Sequence, residues 1–598
     1  MTRLRLSSPA AVFLCSLLLV SIGSSFYLGS SAAGAGYAWR GLPLDDAWIH
    51  LVYARSIARA EPFQYNPGEW ETGSTSPLWA LVLSPAIALG LPPVASGKLL
   101  GILFTAAASA VGYRLGTHLG DSLAGLMFAA AMPLLPYLDF AAVSCTEVPL
   151  FIFLLLVTID LAVTERWRWA GAAAGLAILA RPEGYLLLPL LGITLAVRFL
   201  ASRSSDQTPW RKLLLDGGSA LAPALLVITP WVGYCLWASG KPLPATFYSK
   251  AQWLGFLNID QLQKIGGFLL FQPFSGSSIP NPLLKAAGAA AGTVLFAAGL
   301  TALYRSGPAA FVLLGLFSPV FYYALSLELP LGFFAELMRA GSLLNFYYSR
   351  YMLPGLAPFL LTSLIGLFSL ERLLTSRFSS SSFSSSQQET APRPAAPQRR
   401  AGSRPAASRT EKSPRENKES AGSFGAARIV LGVVFLILPV FSAVHLHSLL
   451  IPVYSWNCQN IEELDAAAGK WIAANLPENV TVASSDGGAI RYFGERRIVD
   501  LVGLNTHRLL PLLKQIDKAP RMSEEEARLR ERFWKEEHID DIAVLDGWHA
   551  PLLRGRYLKV LKFFELPLNT ICGRSKLVIA SMEAQGTVAG EGEETPAE

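Results

Sequence analysis

The apolar run Pro9–Leu28 (PAAVFLCSLLLVSIGSSFYL) is followed by a polar and aromatic stretch that opens Leu44-Asp45-Asp46-Ala47-Trp48-Ile49-His50. The run matches the roughly 20 residues that cross a bilayer and exceeds the roughly 7–15 residues of a signal-peptide core, so we predict a retained membrane helix. Two adjacent carboxylates at the mouth of a membrane domain cost free energy unless water, a metal or a substrate meets them. The pair therefore predicts chemistry at a bilayer surface on a lipid-linked substrate.

Composition places the rest of the chain in the membrane as well. Of its 598 residues, 52% are hydrophobic and only 16% are charged, and the mean hydropathy is +0.38. A soluble domain would carry about 25% charged residues. The net charge of +6 is concentrated in a few short segments, so it indicates membrane topology and not a nucleic-acid partner.

The topology follows from apolar segments and from the positions of basic residues. Segment 77–92 is short and rich in proline, and if it spanned the membrane the basic loops would face outward, against the positive-inside rule. We therefore predict eleven membrane helices, with 77–92 in the outer interface, and place 31–96, 139–146, 239–283, 328–350 and 448–598 outside. The predicted spans lie near 9–30, 97–115, 121–138, 147–164, 169–182, 184–200, 215–238, 284–303, 308–327, 351–371 and 427–447.

Two regions follow the first ten spans. Residues 372–426 are rich in Ser, Pro, Ala and Arg, which favours a disordered cytoplasmic linker between the membrane domain 1–371 and the last span 427–447. Residues 448–598 alternate helical and strand patterns, with strands predicted at 479–483, 497–501 and 539–545. The fold class is thus a polytopic α-helical membrane protein with a small C-terminal α/β domain outside the membrane. Cys458 and Cys572 both fall in that domain, which permits a disulfide without implying one.

Asp45 and Asp46 are the first candidates for catalysis. One of them can act as a general base toward an acceptor hydroxyl, which contributes about 10²–10⁴-fold to a rate. The structural alternative is a helix N-cap before residues 47–60, because Asp caps helices well and favours the first turn. Both roles can hold for a pair.

Further charged residues lie in the same outer stretch. Arg55 follows in the predicted helix and can bind phosphate bidentately, or it is a cation on an interfacial helix surface. Glu69 and Glu71 can line a polar cavity, but simple solvation is the favoured alternative.

The remaining candidates flank later membrane segments. Glu147 begins a span, where the helix dipole stabilises a carboxylate, and it adds a further acid on the outer side. Arg181 and Glu183 break two apolar segments, so their charges pair with each other or face the cavity. Lys250 and Arg350 stand on the outer side, where basic residues are disfavoured; each can hold a lipid phosphate or anchor the chain at the interface.

Together these segments resemble the GT-C superfamily of polyprenyl-phosphate-sugar-dependent glycosyltransferases, and most closely the bacterial terminal arabinofuranosyltransferase type. The resemblance covers most of the chain except the linker. It rests on residues 45–49 with Arg55, 66–73 with Leu78-Trp79, 180–184, 243–250, Arg350-Tyr351 and 482–504. The sequence departs from the common pattern at Trp48, Thr72 and Ala245.

The resemblance implies an inverting transfer on the outer face of the bacterial inner membrane. The donor would be a polyprenyl-phosphate sugar, and the acceptor a hydroxyl of an envelope glycan or lipid. Asp45 or Asp46 would deprotonate that hydroxyl, Lys250, Arg350 and Arg55 would stabilise the leaving phosphate, and Glu147 would match a second outer acid. Some members use a divalent metal there, and many with this donor type do not need one.

A transporter or flippase is the alternative class. It would also contain a helix bundle with a polar cavity, but it more often shows inverted repeats and helices broken at the midplane. The sequence contains no repeat at a fixed period, and a transporter would not need the outer domain.

Overall fold

The computed structural model describes residues 8–201, 209–250, 282–328, 350–385, 444–520, 522–548, 550–553 and 558–582. Its first part is helical apart from one hairpin, β1 (Gln64–Asn66) and antiparallel β2 (Glu69–Trp70). The helices are α1 (Pro9–Leu28), α2 (Tyr37–Arg40), α3 (Asp45–Ala58), α4 (Pro77–Ala88), α5 (Pro93–His118), α6 (Ser122–Ala131), α7 (Pro136–Ala142), α8 (Val148–Val163), α9 (Trp167–Ala180), α10 (Leu187–Ala201), α11 (Pro209–Ser239), α12 (Ala245–Lys250), α13 (Pro282–Ser306), α14 (Phe317–Glu328) and α15 (Leu353–Ser385). Short 3₁₀ turns lie at Met132–Leu134 and Pro182–Leu186, and a π turn at Ala310–Gly315.

The helices confirm a polytopic membrane protein. Among the described residues, five helices are long and apolar enough to cross a bilayer, and a sixth is counted if the bent pair 122–142 is one span. That pair bends by 65° where Pro133 and Pro136 interrupt the helical hydrogen bonds. Helices occupy the predicted spans from 9–30 to 351–371, whereas most of 427–447 lies outside the described residues. The total of eleven spans stays a prediction.

Helix α4 is short for a membrane span. It has 12 residues, which at 1.5 Å each reach about 18 Å, well short of the roughly 30 Å hydrocarbon core. Its place in the outer interface stays a prediction.

Small residues let the long helices approach each other closely. A β-carbon at Gly171 in α9 would overlap the carbonyl of Ala220 in α11, and one at Gly366 in α15 would overlap Leu295 in α13. In lipid, the hydrophobic effect does not drive helices together, so van der Waals contacts at such close approaches stabilise their association. Apolar side chains on the other faces are exposed in the isolated chain, for example Leu18 and Phe26 of α1, as expected for surfaces in contact with lipid.

The C-terminal domain is a mixed α/β unit, as predicted. Its helices are a helical run over 444–461, a π turn at Glu462–Ala466, α16 (Ala467–Asn475), α17 (Ala489–Gly494), α18 (Leu510–Lys518), α19 (Glu524–Glu537) and α20 (Ala550–Leu553), with a 3₁₀ turn at His507–Leu509. Its strands are β3 (Thr481–Ser484), β4 (Arg497–Asp500), β5 (Asp541–Leu545), β6 (Leu558–Glu565) and β7 (Lys576–Met582).

The five strands form one sheet in the order β4-β3-β5-β7-β6. Strands β4, β3 and β5 are parallel, whereas β7 runs antiparallel to β5 and β6. The three parallel strands are the three predicted from the sequence, and the β6–β7 hairpin was missed. Cys458 and Cys572 are both free thiols, so the permitted disulfide is not formed.

Helix α3, the β1–β2 hairpin and the C-terminal domain share a hydrophobic core. Tyr53 of α3 and Tyr65 of the hairpin are fully buried in one cluster with Ile472, Val482 and Ile498 of the domain. This core holds the start of α3, where the acidic pair lies, against the loop that follows β3.

Candidate active site

Asp45 is the first residue of α3, and its carboxylate reaches the C-terminal domain. Its Oδ2 accepts a hydrogen bond from the backbone N–H of Gly488 at 2.8 Å, and its Oδ1 accepts one from Ala489 at 2.7 Å. Asp45 thus caps α17 instead of its own helix. Gly488 permits the approach, because a β-carbon there would overlap Asp45.

The environment of Asp45 raises the pKa of its carboxyl group to about 7. Burial is the largest cause, since it disfavours the charged form, and the charges of Asp46 and Asp500 raise the pKa further. The two backbone N–H groups act in the opposite direction because they stabilise the carboxylate. Each carboxylate oxygen keeps a second lone pair, so the group can still accept a proton from a substrate hydroxyl.

Asp46 points to a different partner. It forms an ion pair with the guanidinium of Arg350, whose side chain is only 4% exposed, whereas that of Asp46 is 25% exposed. Arg350 also donates a hydrogen bond to the hydroxyl of Tyr351 at 3.2 Å. The two residues of the acidic pair therefore have separate partners: Asp45 contacts the C-terminal domain, and Asp46 pairs with a buried cation.

Glu147 joins a second buried network. It accepts from Arg181, and the Nε2 of His50 lies 3.1 Å from its other oxygen. Arg181 also donates to both carboxylate oxygens of Glu183, from Nε at 3.2 Å and from Nη2 at 2.6 Å. These two charges therefore pair with each other, which is one of the two arrangements expected. The other arrangement, in which they face the cavity, stays a prediction.

Tyr351 connects the two networks. The guanidinium carbon of Arg350 lies 5.0 Å from the centre of its ring, and that of Arg181 lies 5.4 Å away. Both distances are within the range of cation–π attraction. The ends of several helices thus bring two arginines, one aromatic ring and the carboxylates of Asp46 and Glu147 into one connected cluster, which we call the arginine cluster (Asp46, His50, Glu147, Arg181, Glu183, Arg350 and Tyr351).

Arg55 bridges α3 to the C-terminal domain. Its guanidinium donates to the carbonyl of Tyr492 at 2.9 Å and to Glu495 at 3.2 Å, and it lies 4.3 Å from the centre of the Tyr492 ring. These contacts hold Arg55 between α3 and the C-terminal domain, and its role in binding phosphate stays a prediction.

Glu69 and Glu71 also contact the C-terminal domain. Glu69 pairs with Arg497 at 2.7 Å. Glu71 is only 1% exposed, and its Oε2 lies 2.7 Å from Nδ1 of His507. The expectation of solvation is therefore wrong for Glu71, because the hairpin presses it against a domain that is distant in the sequence. Glu69 as a substrate ligand stays a prediction.

Lys250 ends helix α12, but its side chain lies outside the described part of the structure. Its role as a phosphate ligand is thus a prediction that no contact tests. The start of α12 contacts the segment after the hairpin, since the N–H of Ala245 donates to the carbonyl of Thr72 at 3.0 Å.

Sequence reasoning missed several members of the site. His50, Tyr351 and Gly488 lie in stretches that were singled out in the sequence, but no role was assigned to any of the three. Spacing could have identified His50. It follows Asp46 by four residues, and residues i and i+4 lie on the same face of a helix.

Solved structures with the same architecture were found over nearly the whole chain. The chain aligns with apo ArnT from Cupriavidus metallidurans at a TM-score of 0.54 and 14% identity, covering 96% of this chain and 98% of that one. The structure of that ArnT bound to undecaprenyl phosphate aligns at a TM-score of 0.52 and 14% identity, covering 96% of this chain and 99% of that one. The chain has the GT-C fold.

A second GT-C structure supports the same assignment of fold. The archaeal oligosaccharyltransferase AglB from Archaeoglobus fulgidus, in complex with an inhibitory peptide and a dolichol-phosphate, aligns at 0.51 and 13% identity, covering 89% of this chain and 69% of that one. The model of DUF8728, a domain of unknown function, matches residues 455–581. No curated protein matches the chain. The predicted GT-C architecture is confirmed, and the likeness to the arabinofuranosyltransferase type stays a prediction.

Proposed function

We propose that this protein is an inverting membrane glycosyltransferase. It transfers a sugar from a polyprenyl-phosphate donor to a hydroxyl group of an envelope glycan or lipid, on the outer face of the bacterial inner membrane. The observation that carries the proposal is the position of Asp45 directly before Asp46, whose carboxylate pairs with Arg350 of the arginine cluster, in a GT-C fold. The ArnT structure with undecaprenyl phosphate and the AglB structure with a dolichol-phosphate support a polyprenyl phosphate as the lipid.

Asp45 is the proposed general base. A pKa of about 7 leaves a large part of the carboxyl ionised at neutral pH, and a base whose pKa lies near the working pH is the most effective. The carboxylate takes the proton of the acceptor hydroxyl while the hydroxyl oxygen attacks the anomeric carbon. The bond from that carbon to the phosphate oxygen breaks, and its electron pair stays on the polyprenyl phosphate.

Arg350 is the proposed ligand of the leaving phosphate, together with Lys250. The phosphate gains charge as the glycosidic bond breaks, so a fixed guanidinium stabilises the transition state more than the ground state. Asp46 keeps Arg350 in place before the donor binds. Arg181 is held on both edges by Glu147 and Glu183, so it supports Tyr351 and the shape of the cluster.

A divalent metal does not fit this arrangement of side chains. The described residues contain no group of three or more His, Cys, Asp or Glu that suits a metal ion. Two further acids of the site, Asp46 and Glu147, are paired with Arg350 and Arg181. We therefore assign no step to a metal.

The test is transfer by the purified full chain. Wild-type protein in lipid nanodiscs is incubated with a panel of polyprenyl-phosphate sugars and an envelope glycan acceptor, and the product is followed by mass spectrometry. We expect transfer from at least one donor, and loss of about 10²-fold in single-turnover rate for Arg350→Ala. Lys250→Ala should weaken both donor binding and turnover, and the effects of the two substitutions should be non-additive if they hold one phosphate.

A transporter gives a different result in the same preparation. It would move a fluorescent polyprenyl-phosphate lipid between leaflets of a proteoliposome without forming a glycosidic product. Transbilayer movement with no transfer from any donor would refute the proposed reaction.

A further inference from the structure

Five hydroxyl groups near the arginine cluster are buried without a hydrogen-bond partner among the residues that the structure describes. Each of the five residues is at most 4% exposed. A buried hydroxyl without a partner is costly and rare in a native protein, and it calls for an occupant that supplies the missing hydrogen bond. We call the set the hydroxyl row: Thr72, Ser74, Ser76, Thr146 and Thr246.

Three members of the row lie in the segment between β2 and α4. Thr72 and Ser74 alternate with Glu71 and Gly73, and Ser76 follows a bend at Thr75. Glu71 contacts His507, and a β-carbon at Gly73 would collide with Asn505. The residues between the first two hydroxyls therefore contact the C-terminal domain, whereas the hydroxyls of Thr72 and Ser74 have no partner.

Ser76 is unusual in its position. It is the N-cap residue of α4, where a serine normally accepts a hydrogen bond from the backbone of the first turn. Its side chain makes no such bond. The hydroxyl is thus available for another partner, at the cost of the usual stabilisation of the helix.

The other two hydroxyls extend the row in both directions. Thr246 follows Ala245, whose N–H donates to the carbonyl of Thr72, so the two segments are adjacent. Thr146 precedes Glu147, and the indole of Trp79 in α4 donates to the carbonyl of Cys145 at 3.1 Å. The row therefore runs from the segment that ends in Lys250 to the start of the arginine cluster.

We propose that the hydroxyl row binds the ring hydroxyls of a sugar. Hydroxyl groups both donate and accept, so a row of them matches a polyol, whereas a phosphate or carboxylate would require cations. The inference rests on the proposed function and deepens it by naming the sugar subsite. The sugar belongs to the donor or to the acceptor, and the two arms of the test separate these sources.

The test removes hydroxyls without changing shape. Thr72→Val, Ser74→Ala and Thr246→Val are made in the full chain, with Thr72→Ser as the variant that keeps the hydroxyl. Thr158→Val is the matched control, because Thr158 is equally buried in α8 but its hydroxyl already donates to Leu154 at 2.8 Å. Thermal unfolding of each variant shows that the protein is folded.

The first arm compares two lipids. Binding is measured with the polyprenyl-phosphate sugar that wild type uses and with undecaprenyl phosphate, which has no sugar. If the row holds the donor sugar, each hydroxyl removed weakens binding of the sugar lipid by about 2- to 12-fold, as expected for one hydrogen bond, and leaves undecaprenyl phosphate unchanged. The second arm measures the KM for the acceptor; a rise of similar size with unchanged donor binding assigns the row to the acceptor sugar.

Other results overturn the inference. Wild-type values in both arms for the three variants, or equal loss for both lipids, would show that the row does not recognise a sugar. A loss that Thr158→Val reproduces, or that Thr72→Ser does not restore, would have the same meaning. These results are distinct from failure of the proposed function. If the sugar subsite alone is wrong, the wild-type protein still transfers sugar, whereas if the proposed function is wrong, it uses no donor.

Discussion

The pH dependence of transfer tests the role of Asp45 most directly. Its pKa of about 7 means that the ionised fraction falls from about one half at pH 7 to about one hundredth at pH 5. The active form is the carboxylate, so activity is lost as pH falls. We expect kcat/KM of the wild type to fall about 50-fold between pH 7 and pH 5 and to level off above about pH 8.

Two variants identify the carboxylate that causes this loss of activity at low pH, which we call the acidic limb. Asp45→Asn should lower kcat/KM at pH 8 by at least about 10²-fold and abolish the limb, because the general base is removed. Asp46→Asn should keep the limb but move it to lower pH, since the negative charge of Asp46 raises the pKa of Asp45. The assay is initial-rate transfer from pH 5 to pH 9, in buffers of constant ionic strength.

Gly488→Ala controls for the structural role of Asp45. The Asn side chain offers an N–H group where the structure needs an acceptor, so Asp45→Asn should also cost about 1–3 kcal/mol of stability. Gly488→Ala disturbs the same contact, because its β-carbon would overlap Asp45, but it keeps the carboxyl group in the chain. If both variants lose stability and activity to the same extent, and both keep the acidic limb, Asp45 is a cap for α17 and the reasoning about a base is wrong.

Three further predictions concern the surroundings of the site. Glu147→Gln should lower turnover and cost about 1–3 kcal/mol of unfolding free energy, because buried Arg181 loses a charged partner; denaturation with parallel kinetics checks both. Arg55→Ala should lower the melting temperature while kcat stays within about 2-fold, since its contacts stabilise the interface by a few hydrogen bonds; a 10²-fold fall in kcat at unchanged stability would restore its phosphate-binding role. A membrane-impermeant maleimide should label Asp546→Cys but not Arg400→Cys in intact cells, and labelling at position 400, which lies outside the described residues, would overturn the predicted topology.

Local patterns in the sequence were sufficient for the class of fold and the parts of the site. Long apolar runs determine which segments enter a membrane, because burying a backbone in lipid requires a helix. The alternation near β3, β4 and β5 identified the parallel core of the outer domain. The hairpin β6–β7 was missed because Lys559, Lys562 and exposed Phe563 interrupt its alternation.

The contacts that define the site were decided only by the tertiary structure. Asp45 and Gly488, which form a hydrogen bond, are 443 residues apart in sequence. No periodicity or motif reports which distant segment will meet a given side chain, so the sequence alone could not separate the roles of Asp45 and Asp46. The same reason explains Glu71, whose sequence suggests solvation and whose burial comes from the docking of His507. Sequence pattern determines which segments are buried, whereas partners and charge balance depend on how the buried segments are brought together.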